Sequence, residues 1–198
     1  MTDLRDRKTQ LRKTVLARRD AMDVETRIEG SLAAVEHGLL APPFSDEHFV
    51  GDTIVSGFLP IRSEIDTRPL MAALAARGAR LCLPVVLDKT TIQFRELVRG
   101  APVVDTGFGT VGPDETAAVL DPEILLIPLS AFDRQGGRMG YGVGHYDRAI
   151  DRLLKKGIKP VLLGIAFSVQ EIDSVPMEIH DKYLQGIITE SSFIKVVD

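Results

Sequence analysis

The chain has 198 residues, of which 44% are apolar, and its formal net charge is −4. This composition supports one domain over residues 1–198 with a core that needs no metal, and a single cysteine, Cys82, excludes an internal disulfide. General nucleic-acid-binding proteins are normally basic, and the longest apolar runs, 124–129 and 161–167, are too short to span a bilayer. We therefore expect a cytoplasmic monomer with neither a nucleic-acid nor a membrane partner.

The first two predicted elements are helices. Thr2 or Asp3 can cap a helix that runs to about Met22, and Asp23 can cap a second one that runs to about Leu39. Residues 1–22 carry seven basic side chains against three Asp, so this end of an acidic chain is positive. A basic end suits a small anionic ligand, and an ordinary solvated helix gives the same count.

From residue 53 onward, short apolar runs alternate with helical patterns. We predict helices over 67–77 and 146–156, and strands over 53–58, 80–86, 92–98, 124–128, 161–165 and 186–189. Buried apolar strands interleaved with helices are typical of a parallel sheet that is covered on both faces. The expected fold is thus a three-layer α/β/α domain with a mostly parallel, Rossmann-like sheet, preceded by a helical pair.

Ligands of such sheets bind beyond the carboxyl ends of the strands. The site should therefore lie in the loops that follow Phe58, Pro128 and Ile165. One of these loops contains the most informative segment, 136–144, in which five of nine residues are glycine. Closely spaced glycines let backbone N–H groups approach an oxyanion, and the N-terminus of the next helix adds partial positive charge.

Arg138 lies within this glycine-rich segment and can form charge-assisted hydrogen bonds to phosphate. The segment therefore predicts phosphate or nucleotide binding, although its spacing fits neither the Walker nor the dinucleotide-binding motif. A mobile surface loop is the alternative. Lys8 and Arg12 share one face of the first helix. They can clamp phosphate, but their spacing alone favours a solvated face.

The segment 137–148, Gly-Arg-Met-Gly-Tyr-Gly-Val-Gly-His-Tyr-Asp-Arg, resembles the signature Gly-x-Arg-Leu-Gly-x-Gly-x-Gly-Tyr-Tyr-Asp-Arg of the 5-formyltetrahydrofolate cyclo-ligases. The resemblance extends over nearly the whole chain, because segments 8–12, 58–69 and 164–181 also look like parts of that family. In two places the chain departs from the signature: Met139 replaces Leu, and His145 stands where the family has Tyr or Phe. Phe108 takes the place of an aromatic residue that is often Trp.

The resemblance implies an enzyme that uses ATP and Mg²⁺ to convert 5-formyltetrahydrofolate to 5,10-methenyltetrahydrofolate. By that resemblance, the ATP-binding residues are Lys8, Arg12, Arg138, Gly140, Tyr141, Gly142, Val143, Gly144, His145 and Tyr146. The folate-binding residues are Leu59, Glu64, Phe108, Tyr141, Gly142, Val143, Gly144 and His145. Arg138 and Tyr146 are the implied catalytic residues, and Asp147 and Asp181 the implied magnesium ligands.

The chemistry implied by the resemblance needs no protein nucleophile. The formyl oxygen attacks the γ-phosphorus of ATP, and N10 of the folate then closes on the activated carbon as phosphate leaves. Other interpretations stay open: a different nucleotide or sugar-phosphate enzyme, to which only the glycine-rich segment points, or a binding protein without turnover. From its position alone, Glu64 can instead pair with Arg62 or Arg68, and His180 beside Asp181 can be a turn residue.

Overall fold

The structure, a computed structural model, describes residues 4–45, 49, 51–107, 109–179 and 181–197. The described chain begins with the two predicted helices, α1 (Leu4–Asp20) and α2 (Val24–Leu39). Asp23 caps α2 as expected, since its Oδ1 accepts the N–H of Thr26 at 2.8 Å. The residues predicted to cap α1 lie outside the described ranges, and so do Phe108 and His180.

Two further helices and eleven strands follow within the described residues. The helices are α3 (Arg68–Ala76) and α4 (His145–Lys155). The strands, in chain order, are β1 (Ile54–Ser56), β2 (Arg80–Val86), β3 (Ile92–Glu96), β4 (Val103–Gly107), β5 (Thr110–Pro113), β6 (Ile124–Pro128), β7 (Ala131–Phe132), β8 (Arg138–Met139), β9 (Val161–Ile165), β10 (Gly186–Ile188) and β11 (Phe193–Lys195).

The main sheet has the strand order β11-β10-β9-β6-β1-β2-β3. Its five inner strands are parallel, and both edge strands, β11 and β3, run antiparallel to their neighbours. The prediction of a mostly parallel sheet is therefore confirmed. Because all five inner strands end on the same side, the loops after β1, β6 and β9 meet at one edge.

The sheet separates two cores. Along β6, Leu126 packs with residues of α2 and α3, whereas its neighbours Leu125 and Ile127 pack with residues of α4. Every residue of β6 except Pro128 is buried, because a central parallel strand faces helices on both sides. This arrangement gives the three predicted layers. Within the described ranges, no helix is both long and apolar enough to cross a membrane.

Helix α1 lies apart from these layers and packs over the loops at the carboxyl edge of the sheet. Val15 of α1, which is 1% exposed, contacts a small cluster made of Ala131 in β7, Met139 in β8 and Val175. Since β7 and β8 form the hairpin that follows β6, this contact places α1 beside the glycine-rich segment. The helix thereby brings its basic residues to the predicted site.

Candidate active site

Four residues on one face of α1, at positions 8, 12, 15 and 19, point toward the carboxyl edge of the sheet. Lys8, Arg12 and Arg19 each contact residues that are distant in sequence, and Val15 anchors the face in the small cluster. The positions repeat at helical spacing, so one stripe of the helix carries all four. Packing against the rest of the chain, which spacing alone does not show, therefore argues against an ordinary solvated face.

The first half of the glycine-rich segment builds the β7–β8 hairpin. Asp133 is buried, and its Oδ1 accepts the N–H groups of Gln135 and Gly137, each at 2.9 Å, while its Oδ2 accepts that of Val175 at 2.7 Å. A Cβ atom at position 137 would lie 2.5 Å from Asp133 Oδ2, so only glycine fits there. Gly136 and Gly137 thus serve the hairpin turn.

The second half of the segment, 140–144, forms the connection into α4, and we call it the glycine loop. Gly142 and Gly144 adopt left-handed φ angles of 95° and 73°. Arg12 lies against this loop, since its Nε donates to the carbonyl of Gly140 at 2.8 Å. A Cβ atom on Gly142 would approach its guanidinium to 3.4 Å. Burial lowers the pKa of Arg12.

A direct hydrogen bond connects the glycine loop to the loop after β1. The hydroxyl of Tyr141 donates to Glu64 Oε1 at 2.6 Å, and the backbone N–H of Ile61 donates to Glu64 Oε2 at 2.9 Å. Burial raises the pKa of Glu64, against the opposing effect of these two hydrogen bonds and of Arg19 and Arg62. Burial, followed by the charge of Glu64, raises the pKa of Tyr141 to about 12, so the phenol stays protonated at neutral pH.

The surface ion pair between Glu64 and Arg68 does not form, because Arg68 pairs with Asp66 at 2.6 Å. Glu64 is instead 9% exposed and turned inward. Beside it lies a cavity of about 430 Å³ that is lined by Leu59, Pro60, Ile61, Arg62, Gly109 and Val111. Ile61 connects the two features, since it lines the cavity and its backbone N–H donates to Glu64.

The two carboxylates predicted to bind metal are connected through Lys182, the residue after Asp181, whose backbone N–H donates to Asp147. Asp147 Oδ1 accepts Arg138 Nη2 at 2.5 Å and the backbone N–H of Lys182 at 3.3 Å. Asp181, the residue before Lys182, accepts the ammonium of Lys8 at 2.8 Å and the N–H of Glu178 at 2.8 Å. The ammonium also lies 2.7 Å from Glu178. Each carboxylate is therefore matched with a basic side chain.

Arg138 does not face solvent. Its side chain is 6% exposed, and its Nε donates to the carbonyl of Lys182 at 3.1 Å in addition to the pair with Asp147. This position differs from that of an outward-pointing phosphate ligand, because the guanidinium holds α4 and the 181–182 segment together. The described residues contain no group of three or more His, Cys, Asp or Glu side chains that could hold a metal ion.

His145 and Tyr146, the first residues of α4, point in different directions. His145 Nε2 donates to the carbonyl of Lys89 at 3.1 Å, so it links α4 to the loop between β2 and β3. The hydroxyl of Tyr146 is buried and has no hydrogen-bond partner among the described residues. Burial, with a smaller contribution from Glu64, raises the pKa of Tyr146. Val143, at the tip of the glycine loop, is about half exposed.

Sequence reasoning missed Arg19, Ser63 and Glu178. Arg19 is 1% exposed; its Nε donates to Ser63 Oγ at 2.9 Å, and both of its terminal nitrogens lie 3.2 Å from the Tyr141 hydroxyl. The available signal was the spacing of Arg19 on the same stripe as Lys8 and Arg12. Glu178 carried no such signal, because its approach to Lys8 depends on how the 172–182 segment folds.

The chain matches known proteins over most of its length. The model of the 5-formyltetrahydrofolate cyclo-ligase family matches residues 5–190. The 5-formyltetrahydrofolate cyclo-ligase of Escherichia coli K12 is 29% identical over 180 residues, which cover 88% of this chain and 95% of that protein. The Haemophilus influenzae protein of the same name is 31% identical over 131 residues, covering 63% of this chain and 69% of that one.

The fold has a counterpart among solved structures as well. The NMR structure of Aquifex aeolicus 5,10-methenyltetrahydrofolate synthetase aligns with a TM-score of 0.79 at 27% identity. That alignment covers 96% of this chain and 93% of the other. Sequence and structure comparisons therefore agree over both the sheet and the N-terminal helical pair.

Proposed function

The chain belongs to the 5-formyltetrahydrofolate cyclo-ligase family, and from this premise we propose that it converts 5-formyltetrahydrofolate to 5,10-methenyltetrahydrofolate in an ATP-dependent reaction. The products besides the methenyl folate are ADP and phosphate. The contact that supports this proposal most directly is the 2.6 Å hydrogen bond from Tyr141 to Glu64. It joins the loop suited to phosphate with the carboxylate suited to a pterin, so both substrates can react at one place.

Glu64 and the neighbouring cavity form the proposed folate site. Each carboxylate oxygen of Glu64 has one described donor, Tyr141 or Ile61, and so keeps capacity to accept another hydrogen bond. Two acceptors side by side suit the adjacent N–H groups of a pterin ring. The apolar part of the cavity lining, which includes Leu59, suits an aromatic ring. Phe108, which lies outside the described residues, remains part of this proposal.

The proposed ATP site is formed by α1 and the glycine loop. Lys8 and Arg12 supply positive charge, and the backbone N–H groups of Gly140, Gly142 and Gly144 can donate to phosphate oxygens. A Cβ atom at Gly140 would meet no heavy atom within 4 Å, so a ligand can approach the backbone there. The proposed ATP-binding set also includes Arg138, Tyr141, Val143, His145 and Tyr146.

Asp147 and Asp181 are the proposed Mg²⁺ ligands, and their chemistry fits that ion. Mg²⁺ prefers hard oxygen donors and is held by one or two carboxylates together with substrate phosphates. Asp147 Oδ2 accepts no hydrogen bond from a described residue, because both bonds to this carboxylate end on Oδ1. When bound, the ion neutralises phosphate charge and so supports transfer of the γ-phosphoryl group.

The chain's residues contribute alignment and charge rather than a covalent step. The formyl oxygen attacks the γ-phosphorus and ADP leaves. N10 of the folate then attacks the formyl carbon of the imidate phosphate, N10 loses its proton to solvent, and phosphate departs with the former formyl oxygen. Glu64 fixes the pterin, and Lys8 and Arg12 stabilise charge on the transferred group. Arg138 acts by holding Asp147 in place, and Tyr146 is the second proposed catalytic residue.

Absorbance spectroscopy tests this proposal directly. Purified protein mixed with 5-formyltetrahydrofolate, Mg²⁺ and ATP should develop the near-UV band of methenyltetrahydrofolate, and the band should be absent when ATP is omitted. A folded protein that gives no band overturns the assignment. Binding of both substrates without product would instead favour the non-catalytic alternative, to which the unusual His145 draws attention.

A further inference from the structure

Arg19 is the one side chain of the α1 stripe whose role the proposed function does not explain. It is 1% exposed, and within the described part of the chain its guanidinium forms no ion pair with a carboxylate. Its partners are two neutral hydroxyls, those of Ser63 and Tyr141. A buried charge with only neutral partners is costly to retain, which indicates that it serves the site.

The chemistry of a guanidinium fixes the direction of every hydrogen bond around it. Arginine only donates, so the hydroxyl oxygens of Ser63 and Tyr141 must accept from it. Each hydroxyl then has its single proton left for another acceptor. Ser63 donates that proton to Asp20 Oδ1, and Tyr141 donates its own to Glu64 Oε1. The chain of contacts therefore runs outward from Arg19 to two carboxylates.

This direction matters for Glu64, because a carboxylic acid and a phenol can hydrogen-bond in two ways. With the Tyr141 oxygen already accepting from Arg19, the phenol proton points to Glu64. Glu64 must then act as acceptor at Oε1, and the N–H of Ile61 imposes the same role at Oε2. Hydrogen bonds donated to both oxygens favour the ionised carboxylate, which is the form that a ligand rich in N–H donors requires.

We propose that Arg19 is a positioning residue for the folate: acting through Tyr141, it keeps Glu64 as an ionised, acceptor-only carboxylate aimed at the substrate. The inference rests on the proposed function and names how its folate site is maintained. Besides Arg19, the described groups that act on Glu64 include Tyr141 of the glycine loop, Arg62 of the loop after β1, and Tyr146 of α4. Of the described residues, Arg19 is the one that donates to both Ser63 and Tyr141.

The test compares Arg19→Met with Arg18→Met, which changes the exposed neighbour of the same type. Met fills a similar volume, and both hydroxyls keep a carboxylate to donate to, so the variant is expected to fold. Arg19→Met should raise KM for the folate roughly 10- to 100-fold, the effect of weakening one hydrogen bond to a charged group. KM for ATP should change less than about twofold, and Arg18→Met should match the wild type.

The pH profile separates this role from a structural one. Without Arg19 the pKa of Glu64 should rise further. As pH is lowered, the folate KM of Arg19→Met should therefore begin to increase at a higher pH than the folate KM of the wild type does. If Arg19→Met fails to fold, Arg19→Lys is compared with Arg18→Lys instead, because lysine keeps the positive charge but lacks the several N–H donors of the guanidinium. A folded Arg19 variant whose folate KM and pH profile equal those of its Arg18 control would overturn the proposal.

A substrate-free measurement distinguishes this inference from the proposed function. The ¹³C shift of the Glu64 side-chain carboxyl, titrated in the protein without ligands, should show protonation at a higher pH in Arg19→Met than in Arg18→Met. This result is expected whether or not the wild-type protein makes methenyl folate. Identical titrations in the two variants would remove Arg19 from the scheme, while absent turnover with shifted titrations would contradict only the proposed reaction.

Discussion

The ammonium nitrogen of Lys8 lies 2.8 Å from Asp181 Oδ2, although 173 positions separate the two residues in the chain. Burial disfavours the charged ammonium, but the carboxylates of Asp181 and Glu178 outweigh that effect and raise the pKa of Lys8. In the proposed function Lys8 binds phosphate and Asp181 binds Mg²⁺, so each would neutralise the other until the ligands arrive. Binding of nucleotide with its metal would then exchange these partners.

Removing the ammonium should separate its two effects. In Lys8→Gln the ammonium that competes with a divalent ion for Asp181 and Glu178 is gone. Mn²⁺ without nucleotide should therefore bind about tenfold more tightly. KM for ATP should rise roughly 10- to 100-fold, because a phosphate ligand is lost. Calorimetric titration with Mn²⁺ and steady-state kinetics measure the two quantities. Lys13→Gln, on the exposed face of α1, is the control, and equal Mn²⁺ affinity in both variants would contradict the exchange.

The buried pair of Arg138 and Asp147 should matter more for stability than an exposed pair of the same chemistry. Arg138→Gln leaves a largely buried carboxylate without its cation, so the free energy of unfolding should fall by about 2–3 kcal/mol. Arg134→Gln removes a pair whose arginine is 63% exposed, and should cost less than about 1 kcal/mol. Chemical denaturation measures both values.

A second change distinguishes the roles of this pair. Adding Asp147→Asn to Arg138→Gln removes the stranded charge, so much of the lost stability should return. Turnover should stay low, because the proposed metal ligand is then absent. Recovery of both stability and turnover in the double variant would show that the pair is only structural.

How far the sequence predicts the fold depends on how local each signal is. Apolar runs located β2, β6 and β9 to the residue, because inner parallel strands are buried on both faces. The hairpin of β7 and β8 was missed, since two-residue strands show no periodicity. The role of a glycine is likewise predictable only where its signal is local. Gly137 serves the hairpin through its contact with Asp133, and Asp133 also accepts the N–H of Val175. Sequence spacing does not show a contact over that distance in the chain.

Glu64 should affect stability and folate binding with opposite dependence on pH. Its pKa in the folded protein is raised above the ordinary value of 4.5, chiefly by burial. The folded state therefore binds the proton more tightly, and stability contributed by Glu64 is present at low pH and lost as pH rises through the folded pKa. Relative to the wild type, Glu64→Gln should gain stability as pH increases upward from about 4.5.

Folate binding should follow the opposite course, because it needs the ionised carboxylate. The wild-type folate KM should rise as pH falls through the same range, whereas Glu64→Gln should have a KM about a hundredfold higher that varies little with pH. Denaturation and kinetics at matched pH values provide both measurements. If the folate KM of the wild type and that of Glu64→Gln changed with pH in the same way, Glu64 would be excluded as the folate ligand.

The buried hydroxyl of Tyr146 should be a feature kept for activity at the expense of stability. Because no described residue satisfies it, Tyr146→Phe removes an unpaired polar group and should stabilise the protein by up to about 1 kcal/mol. If the hydroxyl assists the reaction as proposed, kcat should fall while the substrate KM values change little. Thermal unfolding and kinetics decide this, and Tyr183→Phe, an exposed tyrosine, is the control. Unchanged kcat in Tyr146→Phe would leave the residue with a packing role.

Arg62 should select folates that carry a glutamate carboxylate. It lines the cavity beside Glu64, and no described carboxylate forms an ion pair with it. Its φ of 56° is left-handed, a conformation that asparagine adopts more easily than arginine. Arg62→Asn should therefore fold at least as well as the wild type while lacking the cation.

A substrate that lacks the glutamate removes the carboxylate that Arg62 is expected to bind. For the wild type, 5-formyltetrahydropteroate should have a KM about tenfold higher than 5-formyltetrahydrofolate, the loss of one charge-assisted hydrogen bond. For Arg62→Asn the two substrates should have nearly equal KM values, because the partner of the carboxylate is gone. A tenfold preference that persists in the variant would assign the carboxylate to another cation of the site, since each of the two changes would then act independently.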